Sequence, residues 1–259
     1  MIIVYTIVVF LACTIGPIVG LGGGVFIRPV FDAIGYHPVL HISFYSSIAI
    51  LSMSIVSTIK KVQDGMTIKA SKAVLISAGA VVGGLLGNLI LEQLIYTMYA
   101  ESTVQLVQIA LTVILLTIAI WATLKQGLRY DVKSKVAVPF IGIALGAFAA
   151  FLGIGGGPIN VPILMILFGM PIKSATMYSI VIIFFSHFSR LVTLGFTVGY
   201  TYFDLSLLPF LVVAAAVGGL VGANLSRIFS EKTVKRAFIG ALLAVIALNL
   251  FNGVVIITG

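Results

Sequence analysis

Long apolar stretches alternate with short polar clusters along the whole chain, near 2–27, 40–59, 73–91, 103–124, 136–168, 174–198, 205–226 and 237–258. No charge occurs between Met1 and Arg28, between Lys135 and Lys173, or between Arg236 and Gly259. A helix needs about 20 apolar residues to cross the hydrocarbon of a bilayer, so the pattern predicts membrane-spanning helices. The first and fifth stretches are interrupted, by Gly20-Leu-Gly-Gly-Gly24 with Pro29 and by Gly153-Ile-Gly-Gly-Gly157 with Pro162.

These two blocks lie 133 residues apart, and the same offset aligns Pro38 with Pro171, Tyr45 with Tyr178 and Ser46 with Ser179. With two further residues it aligns the segments 80–87 and 215–222, both Ala-x-Val-Gly-Gly-Leu-x-Gly. The chain therefore reads as a duplication, with a first repeat at 1–127 and a second at 134–259.

Composition narrows the class. Only 8% of residues are charged and 61% are hydrophobic, against about 25% charged in a soluble domain. The net charge of +8 does not indicate nucleic acid, because twelve of the fifteen Lys and Arg residues fall in three clusters between apolar stretches. They are Lys60, Lys61, Lys69 and Lys72; Lys125, Arg129, Lys133 and Lys135; and Arg227, Lys232, Lys235 and Arg236. Cytoplasmic loops of membrane proteins collect such residues. The single Cys13 leaves no disulfide framework or cysteine metal site. The apolar N-terminus lacks a basic n-region and reads as retained rather than as a signal peptide.

Placing the basic clusters inside fixes a topology. Segment 136–168 then starts and ends inside, and segment 2–36 starts and ends outside, so each must enter, break at its glycines and return. The expected fold is an all-α polytopic membrane protein of two inverted repeats, each a glycine-broken hairpin plus three transmembrane helices. The first repeat holds hairpin 2–36 and spans 40–59, 73–91 and 103–124. The second holds hairpin 136–168 and spans 174–198, 205–226 and 237–258. Both termini lie outside the cytoplasmic membrane.

A helix broken in lipid leaves backbone groups unpaired, which is tolerated only where the break is buried in protein or lines a wet cavity. Each half-helix after a break starts with unpaired N–H groups and the positive end of a macrodipole, so two of them meeting near the midplane make an anion site. Gly22, Gly23, Gly24, Gly155, Gly156 and Gly157 would let the backbone approach the ligand. Spacing of glycines by four is equally a packing device. Gly83, Gly84, Gly87, Gly218, Gly219 and Gly222 are expected to pack within one chain or between two copies of a homodimer.

The paired Gly-x-Gly-Gly-Gly-x-x-x-x-Pro blocks at 20–29 and 153–162, each followed by Tyr-Ser (Tyr45-Ser46, Tyr178-Ser179), resemble the sulfite exporter TauE/SafE family over nearly the whole chain. The resemblance implies a membrane exporter of sulfite or of organosulfonates such as sulfoacetate. The family often carries Thr before this Ser, where both repeats here carry Tyr, a difference that bears on pocket shape.

Among single residues, Arg28 is the first charge of the chain and sits about one turn into a half-helix. It is expected to clamp an oxyanion through paired hydrogen bonds, with pairing to Asp32 or snorkelling as the alternatives. Arg190 is a second substrate or gate candidate. His187 shares its helical face and could carry a coupling proton, with hydrogen-bonded packing as the alternative. His41, at a span start, is a further proton candidate or an interfacial residue. Tyr45, Ser46, Tyr178 and Ser179 are candidate donors to the anion or interhelical bonds, and Asn160 is a ligand candidate or a local cap. Asp32, Asp64 and Asp204 are expected at the interfaces, solvated.

The function expected is a secondary transporter that exports a small sulfur oxyanion or organosulfonate by alternating access, with a small anion and the lipid bilayer as partners. An anion channel, or a transporter of another small anion, is the alternative. Enzymatic chemistry is not expected, since no His-Glu-x-x-His, Gly-x-Ser-x-Gly or paired intramembrane carboxylates occur. No Gly-Lys-Ser/Thr follows the glycine blocks, and no cofactor or metal is expected.

Overall fold

The structure, a computed structural model, describes residues 1–67, 69–97, 101–125, 130, 132, 137–152 and 156–258. Gly155, and the basic residues Arg129, Lys133 and Lys135, lie outside the described residues. The described chain is helical: α1 Ile2–Val19, α2 Gly24–Ile34, α3 Val39–Gln63, α4 Ala70–Thr97, α5 Glu101–Leu124, α6 Ala137–Leu152, α7 Gly157–Phe168, α8 Ile172–Thr197, α9 Leu208–Ile228 and α10 Glu231–Thr258. A short 3₁₀ turn, Leu205–Leu207, precedes α9 and takes up the start of the apolar segment expected from 205.

Helices α1, α3, α4, α5, α8, α9 and α10 are each long and apolar enough to cross a bilayer. Large apolar side chains such as Ile3, Phe140, Phe196 and Ile257 stand on the outer surface, where only lipid would cover them without cost. The chain is a multi-pass membrane protein. The return limbs α2 and α7 have 11 and 12 residues, about 17–18 Å at the helical rise, too short to cross. Their incoming partners α1 and α6, with 18 and 16 residues, reach about 27 and 24 Å. The hairpins are thus lopsided, with one nearly full-length limb each.

Small residues set the packing at matching positions of the two halves. α1 lies along α9, and α6 along α4. A Cβ at Gly218 would fall 2.6 Å from the Phe10 carbonyl oxygen, and one at Gly83 would strike the Ile143 carbonyl, 133 residues on from Phe10. Gly222 meets the Thr14 carbonyl in the same way, and Gly87 that of Ala147. These glycines therefore pack within one chain, with backbones in the close approach that small residues allow. The other contacts recur in pairs: α3 with α9 and α8 with α4, α2 with α10 and α7 with α5.

Candidate functional site

Glycine shapes both breaks, but differently: Gly20 and Gly22 are left-handed at the first and Gly156 at the second, while Gly23, the counterpart of Gly156, is right-handed with φ of −63°. α1 ends on Gly20, whose φ of 72° is left-handed and whose N–H bonds to the Gly16 carbonyl. The Gly23 carbonyl then accepts from the N–H groups of Phe26 and Ile27 at 3.1 and 3.0 Å and starts α2. In the second half Gly156, with φ of 67°, accepts from Ile159 and Asn160 at 3.0 and 2.9 Å and starts α7. Left-handed backbone is open to glycine without steric cost. One difference follows from sequence: Pro158 stands where the first break has Val25, so α7 opens with one N–H fewer.

The breaks touch each other. Gly157 lies directly against the backbone of Leu21, leaving no room for a Cβ. Gly20 packs on Thr176, and its carbonyl accepts a 2.6 Å bond from Ser179 Oγ. Gly22 faces the Ile183 side chain. Beside this junction sits Asn160, 0% exposed, with neither amide atom hydrogen-bonded. A buried unpaired amide is expensive, so this side chain is poised for a partner.

On the other side of each break the problem is reversed, because the incoming helix ends on carbonyls that look for donors outside the helix. Side chains supply them. Lys61 Nζ donates to the Pro17 carbonyl at 2.7 Å. Arg190 donates to that of Ala150 at 3.4 Å, Gln108 to that of Phe151 at 2.7 Å and Arg28 to that of Leu152 at 2.8 Å. Pro17 and Ala150 are matching positions. Cations also suit the negative end of a helix dipole.

Arg28 is more enclosed than a snorkelling residue. Its second terminal nitrogen donates to Gln108 Oε1 at 2.8 Å, and Asp32 lies 3.7 Å from its Nε. Around it runs a polar cleft between α2, α5 and α10, lined by Asp32, Gln105, Gln108, Thr112, Asn249 and Asn252. The cleft continues past Asp32 and Gln105 to His37 at the start of α3.

The remaining candidates are placed elsewhere or hold structure. Tyr45 OH donates to the Asp204 carbonyl at 3.2 Å, and Tyr178 OH accepts from the Lys69 N–H at 2.7 Å. Each tyrosine thereby ties a loop of the other half, Tyr45 of α3 the one before α9 and Tyr178 of α8 the one before α4. Ser46 Oγ bonds to the Ser43 carbonyl of its own helix. His187 Nδ1 pairs with Ser47 Oγ at 3.1 Å between α8 and α3. His41 stacks on His37, away from the breaks, among Tyr202 and Phe203. Burial, and then the neighbouring His41, hold His37 below the ordinary histidine range.

The three aspartates are bonded, and Asp64, expected to be solvated, is instead enclosed, with a side chain only 8% exposed. Asp64 is bound by Lys60 at 2.8 Å and Arg227 at 3.2 Å, and the Lys60 hydrogen bond holds its carboxyl below the usual range. Asp204 accepts from the Ser206 N–H, and Asp32 faces Arg28.

Thus the structure brings together Gly22, Gly23, Gly24, Gly156, Gly157, Asn160 and Ser179 at the junction, with Arg28 and Arg190 on its carbonyl side. Lys61, Gln108 and the cleft residues Gln105, Thr112, Asn249 and Asn252 were not expected from sequence. A faint signal existed: Gln105, Gln108 and Thr112 recur at helical spacing on one face of α5, as Asn249 and Asn252 do on α10.

Comparison with known proteins agrees with this architecture. A stretch of 119 residues, 44% of the chain, is 29% identical to the "Probable membrane transporter protein MamO" of Paramagnetospirillum magneticum. That stretch covers 18% of the relative, so the chain spans only a small part of the curated relative it matches. No solved structure matches. The sequence model described as "Sulfite exporter TauE/SafE" matches residues 5–250. With nearly its whole length covered, and both glycine-broken hairpins inside the match, the chain belongs to the sulfite exporter TauE/SafE family of membrane transporters.

Proposed function

We propose that this protein is a secondary transporter that exports a small sulfur oxyanion or organosulfonate, sulfite or a sulfoacetate-like molecule, across the cytoplasmic membrane. The observation that carries the reading is the junction itself: two helix breaks in contact, two helix N-termini opening beside them, and a buried Asn160 amide with no partner. A helix N-terminus attracts anions, and the amide offers a donor that an oxyanion can accept. No enzymatic step is assigned to the site.

The halves are read as inverted repeats with both termini outside, and alternating access as motion of one half against the other. Bonds that cross between the halves at the breaks support this. Ser179 holds Gly20, while Arg28 and Gln108 hold α6. Exchanging them would expose one break at a time. An inside-negative potential favours anion export by about 2.3 kcal/mol per charge per 100 mV, so uniport is sufficient. His187 Nδ1 is engaged with Ser47, and a coupling proton would use the other ring nitrogen, Nε2, which takes no part in that bond.

The test is a ligand panel on detergent-purified protein, read by thermal shift, with sulfite, sulfoacetate, sulfate, acetate and chloride. Selective stabilisation by sulfite or sulfoacetate supports the reading, and stabilisation by acetate or chloride but by no sulfur oxyanion or sulfonate sinks it. Side-specific labelling of cysteines introduced at 36–40 and 169–173 tests the inversion: opposite sides are expected, and labelling from the same side refutes it.

A further inference from the structure

Lys61 poses a problem that its role as a cap does not solve. It lies near the end of α3, is 2% exposed, and has Pro17's carbonyl as its hydrogen-bond partner. Among the described residues no carboxylate pairs with it; Asp64, three residues on, is taken by Lys60 and Arg227. Among the described residues the charge that bears on it is a like one, Lys173 at the start of α8. A neutral donor would satisfy a carbonyl as well, as Gln108 does at Phe151. Burying an ammonium without a counter-ion costs several kcal/mol, and intramembrane ionisable groups mark substrate pathways by default.

The position is informative. Pro17 is the carbonyl whose i+4 donor, the N–H of Leu21, is lost at the first break, and Leu21 is the residue whose backbone meets Gly157. The ammonium therefore stands where the helix opens, beside the contact of the two breaks. Its counterpart across the duplication is Arg190, from α8, on the matching carbonyl of Ala150. The cations are not at matching sequence positions: Leu194 corresponds to Lys61. The same arrangement has been reached from different residues, which points to a need for positive charge at both carbonyl ends.

We propose that Lys61 is an anion-contacting residue of the transport pathway at the first break, resting on the Pro17 carbonyl when the site is empty and turning to the oxyanion when it is filled. This rests on the transporter reading above and adds to it a binding residue. Because Pro17's carbonyl can accept from any donor, charge and capping are separable. Lys61→Gln keeps an N–H donor and removes the charge, while Lys61→Arg keeps both.

The experiment measures half-saturation by thermal shift with sulfite, sulfate, acetate and chloride for wild type and both variants, together with the melting temperature without ligand. Lys61→Gln is expected to raise the half-saturating concentration of whichever anion the wild type binds by about tenfold, equivalent to about 1.4 kcal/mol, with the ligand-free melting temperature nearly kept. Lys61→Arg is expected to stay within about threefold of wild type. Unchanged half-saturation in Lys61→Gln overturns the proposal, as does a loss that Lys61→Arg does not restore. A wild type that binds acetate or chloride but neither sulfite nor sulfate refutes the sulfur reading, and Lys61 is then judged on that anion. A wild type that binds no anion overturns both.

Discussion

Asn160→Leu separates a binding residue from a structural one. Leucine keeps the branching of asparagine at Cγ but has nothing to hydrogen-bond. In the folded protein Asn160 is fully buried, and both its amide atoms lack partners. Leaving a polar group buried and unpaired costs about 1–3 kcal/mol, a cost the leucine variant escapes. Its methyls are bulkier than the amide, and overpacking opposes the gain by about 1 kcal/mol, so the net gain is roughly 0–2 kcal/mol, centred near about 1 kcal/mol. For a chain of this size each kcal/mol moves the melting temperature by about 2–4 °C. The ligand-free variant should therefore melt a few degrees higher than wild type, while its stabilisation by sulfite falls by at least about half. Thermal unfolding in detergent, with and without sulfite, reads both quantities. A lower ligand-free melting temperature together with an intact sulfite shift would refute the reasoning, because Asn160 would then be a satisfied structural residue.

Four further outcomes follow from the same contacts. Gly83→Val and Gly218→Val should each lower the yield of folded protein sharply, since their new Cβ atoms meet the Ile143 and Phe10 carbonyls. Gly240→Ala, with nothing within 4 Å, should be neutral or stabilising by up to about 1 kcal/mol, as read by fluorescence size-exclusion after heating. Arg28→Met should destabilise by about 3–5 kcal/mol, the range for removing one partner of a buried charge pair, because the Leu152 carbonyl and Gln108 lose their donor and Asp32 its counter-charge; an unchanged melting temperature would contradict this. Asp64 titrates lower folded than unfolded, so its contribution is present above the unfolded value of about 3.9 and is lost as pH falls through the lower folded value. Wild type should thus melt above Asp64→Asn at about pH 6, and the difference should shrink steadily as pH falls below the unfolded value.

The sequence carried the architecture because its strongest signals are local. Runs without charge mark helices, and the Gly20–Gly24 and Gly153–Gly157 blocks mark interruptions whatever the tertiary context. Family membership was legible from those same blocks. Gly83 and Gly218 contact carbonyls 133 residues apart, the offset at which the two glycine blocks align.

What the sequence hid are partners far along the chain. Arg28 reads as a residue of its own half-helix, yet its guanidinium serves the end of α6, 124 residues away. Lys61 reads as a loop charge next to Lys60, but α3 runs to Gln63, past the apolar run that ends at 59, and carries Lys61 into the interior. The polar face of α5 escaped notice because Gln105, Gln108 and Thr112 are few among apolar residues, and only packing against α2 and α10 shows that they converge. Tyr45 and Tyr178 look like paired ligands until the loops before α4 and α9 are seen to accept and donate at their hydroxyls.

The most direct test of the account is flux of radiolabelled sulfite from proteoliposomes loaded with it, under an imposed inside-negative potential. The account predicts saturable efflux, accelerated by the potential, slowed by sulfoacetate and reduced in Asn160→Leu. Absence of flux above protein-free liposomes, or flux that neither saturates nor responds to Asn160→Leu, would contradict it.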